Sequence, residues 1–236
     1  MKTNDIAEDI PMKQKDSYYE GERPELKPFL PKTYERVLEI GCGDGSFKAL
    51  LPASSEYWGV EPEPAAAELA EKHLTRVLRG TIEIVADQLP DRYFDLVICN
   101  DVIEHIPDTD FLLTVIQNKL TSDGKMIGSI PNVRYYKNLF GLIVNKDWRY
   151  ADKGILDSTH MRFFTRKSLH RCLTSSGFEF EKFKGINSAV YLKKKTPGNL
   201  LKYLLRLIGF LLLDICTFGH SIDIKYAQFA FRCALK

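Results

Sequence analysis

An acidic residue followed by three closely spaced glycines could hold a nucleoside. An apolar run ends at Glu39, and Gly41, Gly43 and Gly45 follow. This spacing predicts a buried strand that runs into a tight turn, where glycines let a ligand approach the backbone. About twenty residues later a second apolar run ends at Glu61, where an acid can accept hydrogen bonds from two ribose hydroxyls. The two strand ends together predict a site for a ribose-bearing ligand.

The residue inside the turn indicates which kind of ribose-bearing ligand binds. Dinucleotide sites use the spacing G-x-G-x-x-G, where a helix N-terminus faces a pyrophosphate. Here the spacing is G-x-G-x-G, and Asp44 lies within it. A carboxylate there repels a pyrophosphate but suits the ammonium of an aminoacyl group. A dinucleotide oxidoreductase is therefore the weaker interpretation.

Alternating apolar runs and helical patterns predict the elements that position this turn. Strands are predicted at residues 37–40, 57–60, 77–78, 93–100, 126–130, 178–183 and 226–233. Helices are predicted at 64–73, 109–120 and 167–176, the beginning of a crossover helix at 47–51, a short helix or turn at 24–29 and a turn at 122–125. Thr165 is expected to be the N-cap of the helix at 167–176 and Gly177 its C-terminal stop. The alternation predicts an α/β fold, a doubly wound, seven-stranded, mostly parallel sheet with the ligand at the carboxyl ends of its strands.

Composition limits the classes of function. A length of 236 residues with 44% apolar content fits one domain with an elaboration. The net charge of +2 gives no field that favours nucleic acid. The five cysteines are scattered without metal-ligand spacing, so reduced structural thiols and no metal site are expected. The polar stretch at residues 1–16 has no apolar signal core, and a cytoplasmic location is expected.

Further motifs follow in a consistent order. The chain contains V-L-E-I-G-C-G-D-G from residue 37, F-D-L-V from residue 94, I-E-H from residue 103 and P-N at 131–132. Over roughly residues 34 to 184 these motifs resemble the class I S-adenosylmethionine-dependent methyltransferases. The resemblance implies a Rossmann-like methyltransferase fold and S-adenosyl-L-methionine as the methyl donor.

The resemblance also implies which residues hold the donor. Family members often have an acid after the third strand for the adenine amino group, but Thr81 stands there, so backbone groups of Thr81 and Ile82 are expected instead. Arg23 is expected to reach the methionine carboxylate if an N-terminal segment, residues 1–33, covers the site. The remaining implied donor residues lie at strand ends, and they are Glu39, Gly41, Gly43, Gly45, Glu61, Asn100 and Asp101.

Two segments are similar to one methyltransferase subgroup that is often associated with bacterial surface-polysaccharide biosynthesis. They are Y-Y-E-G-E-R-P-E-L from residue 18 and D-S-T-H-M-R-F-F-T from residue 157. This likeness favours O-methylation of a sugar in a surface glycan or in its nucleotide- or lipid-linked precursor. A quinone-type or other small-metabolite O-methyltransferase is the alternative, because the Glu104-His105 element also resembles ubiquinone-pathway enzymes. N-methylation of an amino sugar is a further alternative.

A hydroxyl acceptor needs a general base, and histidine suits this role near neutral pH. His105 follows the fourth predicted strand, where it either acts on the acceptor or shapes the pocket by packing. His160 is the other candidate: if its loop folds over the sheet edge, it could take the acceptor proton while Asp157 orients its ring. Otherwise His160 and Asp157 hold the loop backbone. His73 and His170 are expected at the surface.

Two regions elaborate the predicted methyltransferase domain, residues 34–236. Residues 134–164 form a predicted acceptor-side loop, and residues 193–222 a helical insertion before the last strand. The insertion carries an apolar stripe that is too short to span a bilayer. The stripe is expected to pack on its own domain or on a second copy in a homodimer. The alternative is peripheral contact of residues 193–217 with the inner face of the membrane, or a lid over a lipid-linked substrate. The stripe comprises Leu200, Leu201, Leu204, Leu205, Ile208, Leu211, Leu212 and Ile215.

Overall fold

The computed structural model describes residues 23–190, 197–216, 219 and 221–236, without the side chains of residues 197–199 and 216. His220 and most of the predicted N-terminal segment lie outside the described residues. Within them, seven strands form one sheet in the order β3-β2-β1-β4-β5-β7-β6. The strands are β1 (Arg36–Ile40), β2 (Glu56–Glu61), β3 (Arg76–Arg79), β4 (Phe94–Asn100), β5 (Leu120–Pro131), β6 (Phe178–Ser188) and β7 (Tyr226–Leu235).

The sheet has the predicted topology. Strands β1 to β5 pair in parallel, whereas β7 is antiparallel to both of its neighbours, β5 and β6. The α-helices are α1 (Pro64–Ala70), α2 (Ile82–Val85), α3 (Thr109–Lys119), α4 (Tyr136–Ile143), α5 (Arg166–Ser175) and α6 (Pro197–Cys216). The prediction of a doubly wound, mostly parallel α/β sheet is confirmed.

The sheet is buried on both faces, which explains the continuous apolar runs of its central strands. Successive residues of β1 and β4 enter different cores: Leu38 and Val97 join one apolar cluster, whereas Val37 and Leu96 join the other. Side chains alternate between the two sides of a strand, so a strand covered on both sides is apolar at most positions and not only at every second one. This packing fixes the carboxyl ends of β1, β2 and β4 next to one another.

Helix α5 shows how local signals set the boundaries of an element. The Thr165 hydroxyl accepts a hydrogen bond from the Ser168 amide, and the Ser168 side chain accepts one from the Thr165 amide, which completes a capping box. At the other end, Gly177 has φ +79°, a conformation that glycine adopts readily after a helix. The predicted N-cap and stop are both confirmed.

Several boundaries differ from the prediction. The helix expected at residues 47–51 is a 3-10 turn, Ser46–Leu50, because Pro52 disfavours helical backbone at the preceding residue. The turn expected at residues 122–125 lies within β5 as an irregularity opposite Phe94 and Leu96. The acceptor-side loop contains a helix, α4, that the prediction lacks. Further 3-10 turns span Pro24–Phe29, Ala86–Gln88 and Ile103–His105.

Candidate active site

The turn after β1 is a cradle of backbone groups. Gly41, Gly43 and Gly45 all have positive φ, at +70°, +55° and +79°, and residues with a Cβ rarely adopt this conformation. A Cβ on Gly41 would lie 2.7 Å from a methyl of Val102. The Gly41 amide donates to the Val60 carbonyl at 2.8 Å, which ties the turn to β2. The predicted glycine turn therefore has the geometry that its sequence requires.

Buried carboxylates stand on either side of this turn. Glu61 accepts hydrogen bonds from the Gly43 amide at 2.8 Å and from the Glu63 amide at 2.9 Å. Each carboxylate oxygen can accept a second hydrogen bond, so Glu61 still has acceptor capacity for ribose hydroxyls. Glu39 accepts from the Tyr57 hydroxyl at 2.5 Å. Burial raises the pKa of Glu39 to about 8, although the Tyr57 hydrogen bond opposes this.

Three side chains donate hydrogen bonds to Asp101, which directly follows β4. Its backbone has φ +53°, and its carboxylate accepts from Arg23 at 2.8 Å, from Ser129 at 2.8 Å and from Gln228 at 2.8 and 2.9 Å. Arg23 therefore reaches the predicted donor site. Its two terminal nitrogens bond Asp101 and Ser129, and each has a second N–H for a ligand carboxylate. No sequence signal marks Gln228, which the fold brings in from β7, whereas Ser129 on β5 stands two residues before the P-N motif.

The residues after β3 fit a role for backbone only. Thr81 is exposed and precedes α2, whereas the Ile82 side chain is 2% exposed and belongs to the core. The Ile82 side chain is thus unavailable to a ligand. The predicted contact of adenine with backbone at these two positions stays a prediction.

These strand ends suit an aminoacyl nucleoside. In the part of the chain that the structure describes, the buried Asn100 Oδ1 has no hydrogen-bond partner. Buried polar atoms normally have partners, so this oxygen is a ready acceptor for a ligand ammonium. Three positive-φ glycines leave the backbone open beside it. The residues present therefore fit the predicted donor.

The acceptor-side loop folds back over the end of β4. The Met161 and Arg162 amides donate to the Glu104 carbonyl at 2.9 and 3.2 Å. The Arg162 guanidinium donates to the carbonyls of Ile106 and Pro107 at 3.2 and 2.9 Å. These bonds bring His160 against His105, with ring centroids 4.6 Å apart. The two candidate bases of the sequence thus meet at one place.

The partner predicted for His160 is wrong. Among the described residues, no hydrogen bond joins the Asp157 carboxylate to the His160 ring; instead, His160 Nδ1 lies 3.0 Å from the Ile155 carbonyl. That carbonyl can only accept, so Nδ1 carries the proton and the lone pair is on Nε2. The Asp157 carboxylate stays within its own loop because it accepts a hydrogen bond from the Thr159 amide, two residues later.

Asp157 instead belongs to a chain of hydrogen bonds that ends at His105. Its carboxylate accepts from the Thr159 hydroxyl at 2.7 Å and from the Thr159 amide at 2.9 Å. The Thr159 oxygen lies 3.1 Å from His105 Nδ1. Burial lowers the pKa of His105 below the ordinary histidine value, and the neighbouring His160 lowers it further. Thr159 belongs to the segment D-S-T-H-M-R-F-F-T, but no role is predicted for it from the sequence.

Glu104 completes a compact group with the two histidines. It is 1% exposed, and neither carboxylate oxygen has a hydrogen-bond partner in the described residues. Burial raises its pKa well above the ordinary value, and its Oε1 lies 4.0 Å from His160 Nε2. Ligand atoms of Glu104, His105 and His160 all lie within 4.8 Å of one another. The trio has the composition of a metal site, which no sequence spacing indicated.

A cleft of about 580 Å³ separates the two elaborations. It connects to the donor side through Asn187, which donates to Gln228 at 2.5 Å, and Gln228 bonds Asp101. The cleft is thus linked to the predicted donor residue Asp101, and both predicted acceptor-side regions and the end of β6 contribute to its walls. Its lining comprises Tyr135, Tyr136, Lys137, Asn187, Ser188, Ala189 and Arg206.

The other aromatic residues of the acceptor-side loop pack on one another. Phe163 contacts Trp148, Tyr150 and His160 with ring centroids 5.2, 6.2 and 6.1 Å apart. His73 and His170 are exposed as predicted.

Comparison with known proteins identifies the family. A family model described as "Methyltransferase domain" matches residues 14–182, well over half of the chain. The protein belongs to this family. The membership confirms the predicted enzyme class, an S-adenosylmethionine-dependent methyltransferase, with S-adenosylmethionine as its cofactor.

Similar curated proteins are named ubiquinone biosynthesis O-methyltransferase. The one from Azorhizobium caulinodans is 29% identical over 64% of this chain and 61% of its own length. The one from Idiomarina loihiensis is 27% identical over 61% of this chain and 62% of its own length. The methyltransferase chain thus matches only about three fifths of the length of these relatives. None of these names connects the chain with polysaccharides.

Solved structures share the fold. A SAM-dependent methyltransferase from Archaeoglobus fulgidus superposes with a TM-score of 0.63 and 19% identity, over 93% of this chain and 97% of that one. A possible histamine N-methyltransferase from Thermotoga maritima gives a TM-score of 0.59 with 22% identity, over 92% and 89%. At these identities the likeness shows the fold alone, and it agrees with the sheet described above.

Proposed function

We propose that this methyltransferase methylates a hydroxyl of a quinone-type aromatic acceptor and that His105 removes the hydroxyl proton. The observation that carries the proposal is the chain from Asp157 through Thr159 to His105. It lies directly after β4, where the predicted donor residues Asn100 and Asp101 also lie. This position of His105 supports a role as the base where donor and acceptor meet.

The donor side needs residues that bind and orient. S-adenosylmethionine supplies a methyl group on a sulfonium, already activated for transfer. Glu61 offers acceptors to the ribose hydroxyls, Asn100 Oδ1 offers one to the ammonium, and Arg23 offers N–H groups to the carboxylate. Alignment of the reactants then accounts for much of the rate.

The base is His105 in a single tautomer. The Thr159 hydroxyl hydrogen points to Asp157, because a carboxylate can only accept. The Thr159 oxygen therefore accepts from His105 Nδ1–H, which leaves the lone pair on Nε2 for the acceptor proton. The lowered pKa of His105 favours the neutral ring at pH 7. His160, with its own Nδ1 held by Ile155, packs against His105 and fixes the ring.

A phenolic hydroxyl suits this base better than a sugar hydroxyl. Phenols such as tyrosine have a pKa of about 10, within reach of an imidazole, whereas alcohols hold the proton much more tightly. The relatives named ubiquinone biosynthesis O-methyltransferase support the same acceptor class. Tyr135 and Tyr136 give the cleft aromatic walls that suit a flat ring.

The second candidate acceptor is the sugar of a surface glycan or of its nucleotide- or lipid-linked precursor. Asn187 and Ser188 in the cleft favour it, because they offer hydrogen bonds to sugar hydroxyls. Two basic residues of the loop support a sugar phosphate less. Arg134 pairs with Asp223 at 3.3 Å, and the Arg162 guanidinium donates to backbone carbonyls. Lys137 and Arg206 remain at the cleft for a diphosphate.

The test is methyl transfer from labelled S-adenosylmethionine to two acceptors in parallel, a catechol with a short alkyl tail and a nucleotide-linked sugar. We expect label on the catechol and little on the sugar, and none on either with the His105→Ala variant. Transfer to the sugar alone would assign the glycan function. Equal transfer by the His105→Ala variant would remove His105 from the reaction.

A further inference from the structure

Helix α6 exposes its apolar side. Seven residues follow the i, i+3, i+4, i+7 spacing of a single helical face, and each is between 42% and 63% exposed. Such a face normally packs into the core of its own domain. We name it the outer face of α6, and it comprises Leu201, Leu204, Leu205, Ile208, Leu211, Leu212 and Ile215.

The opposite side of α6 attaches the helix to the domain. Phe210 contacts Tyr136 with ring centroids 5.5 Å apart, and the Arg206 guanidinium donates to the Ala189 carbonyl at 3.3 Å. Asp214 accepts from the Ser221 hydroxyl at 2.6 Å. The side that carries Arg206 and Asp214 therefore faces the protein and the purely aliphatic side faces away, which inverts the usual arrangement of a surface helix. Packing on its own domain, the first expectation for this stripe, is wrong for the outer face.

A second exposed apolar cluster lies at the end of α4, the helix that α6 contacts, and includes the residue that follows this helix. Phe140, Ile143 and Val144 are 58%, 70% and 57% exposed. Positive charge accompanies both clusters. Residues 136–150 contain three basic residues and one acid, and α6 contains two basic residues and one acid. The acid of α6 is Asp214, which Ser221 binds.

We propose that the outer face of α6 and the apolar end of α4 dock on the surface of an anionic lipid bilayer. Within the described residues, no helix is both long and apolar enough to cross a membrane. A 20-residue helix is about 30 Å long and can instead lie in the interface with its aliphatic side among the acyl chains. Lys202 and Lys146 then meet lipid phosphates.

Charge favours a bilayer over a second copy of the chain. A two-fold dimer brings the same patch of each subunit together, so the basic residues at its margin would face one another. Anionic phospholipid offers the complementary charge instead. The aliphatic outer face also lacks the aromatic and arginine anchors that are typical of protein interfaces.

The surface has a consequence for the reaction, and this step rests on the proposed function. Arg206 and Tyr136 line the cleft and belong to the two helices that meet the bilayer. An acceptor with an apolar tail can therefore keep the tail in the membrane while its reactive ring enters the cleft. The enzyme then needs no water-filled path for a poorly soluble substrate.

The test is flotation of the full chain with vesicles of phosphatidylcholine alone or mixed with phosphatidylglycerol. We expect binding to the mixed vesicles and at least about tenfold weaker binding for a Leu205→Asp, Leu212→Asp double variant. The matched control is Leu69→Asp, Ile84→Asp, which changes two exposed apolar residues on α1 and α2 near the opposite edge of the sheet. Circular dichroism and affinity for S-adenosylhomocysteine verify that each variant is folded.

Equal flotation of the two double variants would overturn the docking surface. So would absence of binding to mixed vesicles, or a dimer in sedimentation that the α6 variant dissociates. Transfer to a short-tailed catechol in vesicle-free buffer separates this proposal from the proposed function. Loss of that transfer with intact flotation contradicts the function alone, and the reverse result contradicts the surface alone.

Discussion

The oxygen of Thr159 lies 3.1 Å from Nδ1 of His105. Because the Thr159 hydroxyl hydrogen is directed to Asp157 at 2.7 Å, this contact holds a proton on Nδ1 and a lone pair on Nε2. One exposed hydroxyl on a loop thus selects the tautomer of a histidine that follows a buried strand. Under the proposed function, this arrangement links the acceptor-side loop to proton transfer, and in the described residues no hydrogen bond joins Asp157 to either imidazole ring.

Removal of His105 should lower turnover more than removal of His160. General bases contribute about 10²- to 10⁴-fold to rate, and we expect a loss in this range for His105→Ala with the catechol acceptor. His160→Ala should cost about tenfold, through looser packing of His105. Turnover under saturating donor measures both. A larger loss for His160→Ala would return the base role to His160. Turnover that a chelator abolishes and magnesium restores would instead assign Glu104, His105 and His160 to a metal site.

The pH profile should carry the signature of His105. A base works only when unprotonated, so kcat/KM rises with pH and reaches its plateau as His105 loses its proton. The pKa of this group lies below the ordinary histidine value of 6.5, and the midpoint should therefore fall below pH 6.5. A midpoint above that value, or a profile that keeps its acidic limb in His105→Ala, contradicts the assignment.

Thr159 offers a sharper test, because its hydroxyl can be removed with little change in shape. Thr159→Val should lower kcat about tenfold with little change in donor affinity, since the tautomer of His105 is no longer fixed. Thr159→Ser keeps the hydroxyl and should restore most of the rate. If valine and serine give the same kcat, Thr159 has only a structural role in the loop.

The sheet and the clustering of the predicted donor residues at its strand ends could be predicted because their signals are local. Glu39, the glycines after it and Glu61 stand at the ends of apolar runs, and parallel strands bring such ends together wherever the fold forms. The partners of these residues could not be predicted in the same way. Arg23 reaches Asp101 across 78 positions of sequence, and only the packed sheet brings them together.

The loop and α6 show two further limits of sequence patterns. Proximity in sequence suggested that Asp157 orients His160, but the amide and hydroxyl of Thr159 are nearer and satisfy the carboxylate first. The apolar periodicity predicted that these residues of α6 share one face of a helix, and they do. Periodicity does not say which face meets the domain, and the contacts of Phe210 and Asp214 place the apolar face outward.

The glycine turn should control donor binding. Gly43 has φ +55° and its amide donates to Glu61, so a β-branched residue there strains the turn and displaces the carboxylate. Gly43→Val should weaken S-adenosylhomocysteine binding by at least about a hundredfold in isothermal titration, and Glu61→Ala by at least about tenfold. The control is Gly154→Val, at another glycine with positive φ. Parent-like affinity in Gly43→Val would remove the donor from this turn.

Stability should depend on pH through Glu39. Its pKa is about 8 in the folded protein against an ordinary value of 4.5, so the folded state holds this proton more tightly. The contribution is fully present below pH 4.5 and is lost as pH rises through about 8. Glu39→Gln keeps an acceptor for the Tyr57 hydroxyl and has no proton to lose. Urea unfolding at pH 5 and pH 8 should therefore show a smaller loss of stability in Glu39→Gln than in the parent, by an amount on the order of a few kcal/mol. Glu61 and Glu104, whose pKa values are also raised, contribute equally in the parent and in Glu39→Gln. The control is Glu83→Gln at an exposed position, which should lose as much stability between pH 5 and pH 8 as the parent does. An identical loss of stability between pH 5 and pH 8 in Glu39→Gln and in the parent would show that the Glu39 carboxyl is ionised in the folded protein.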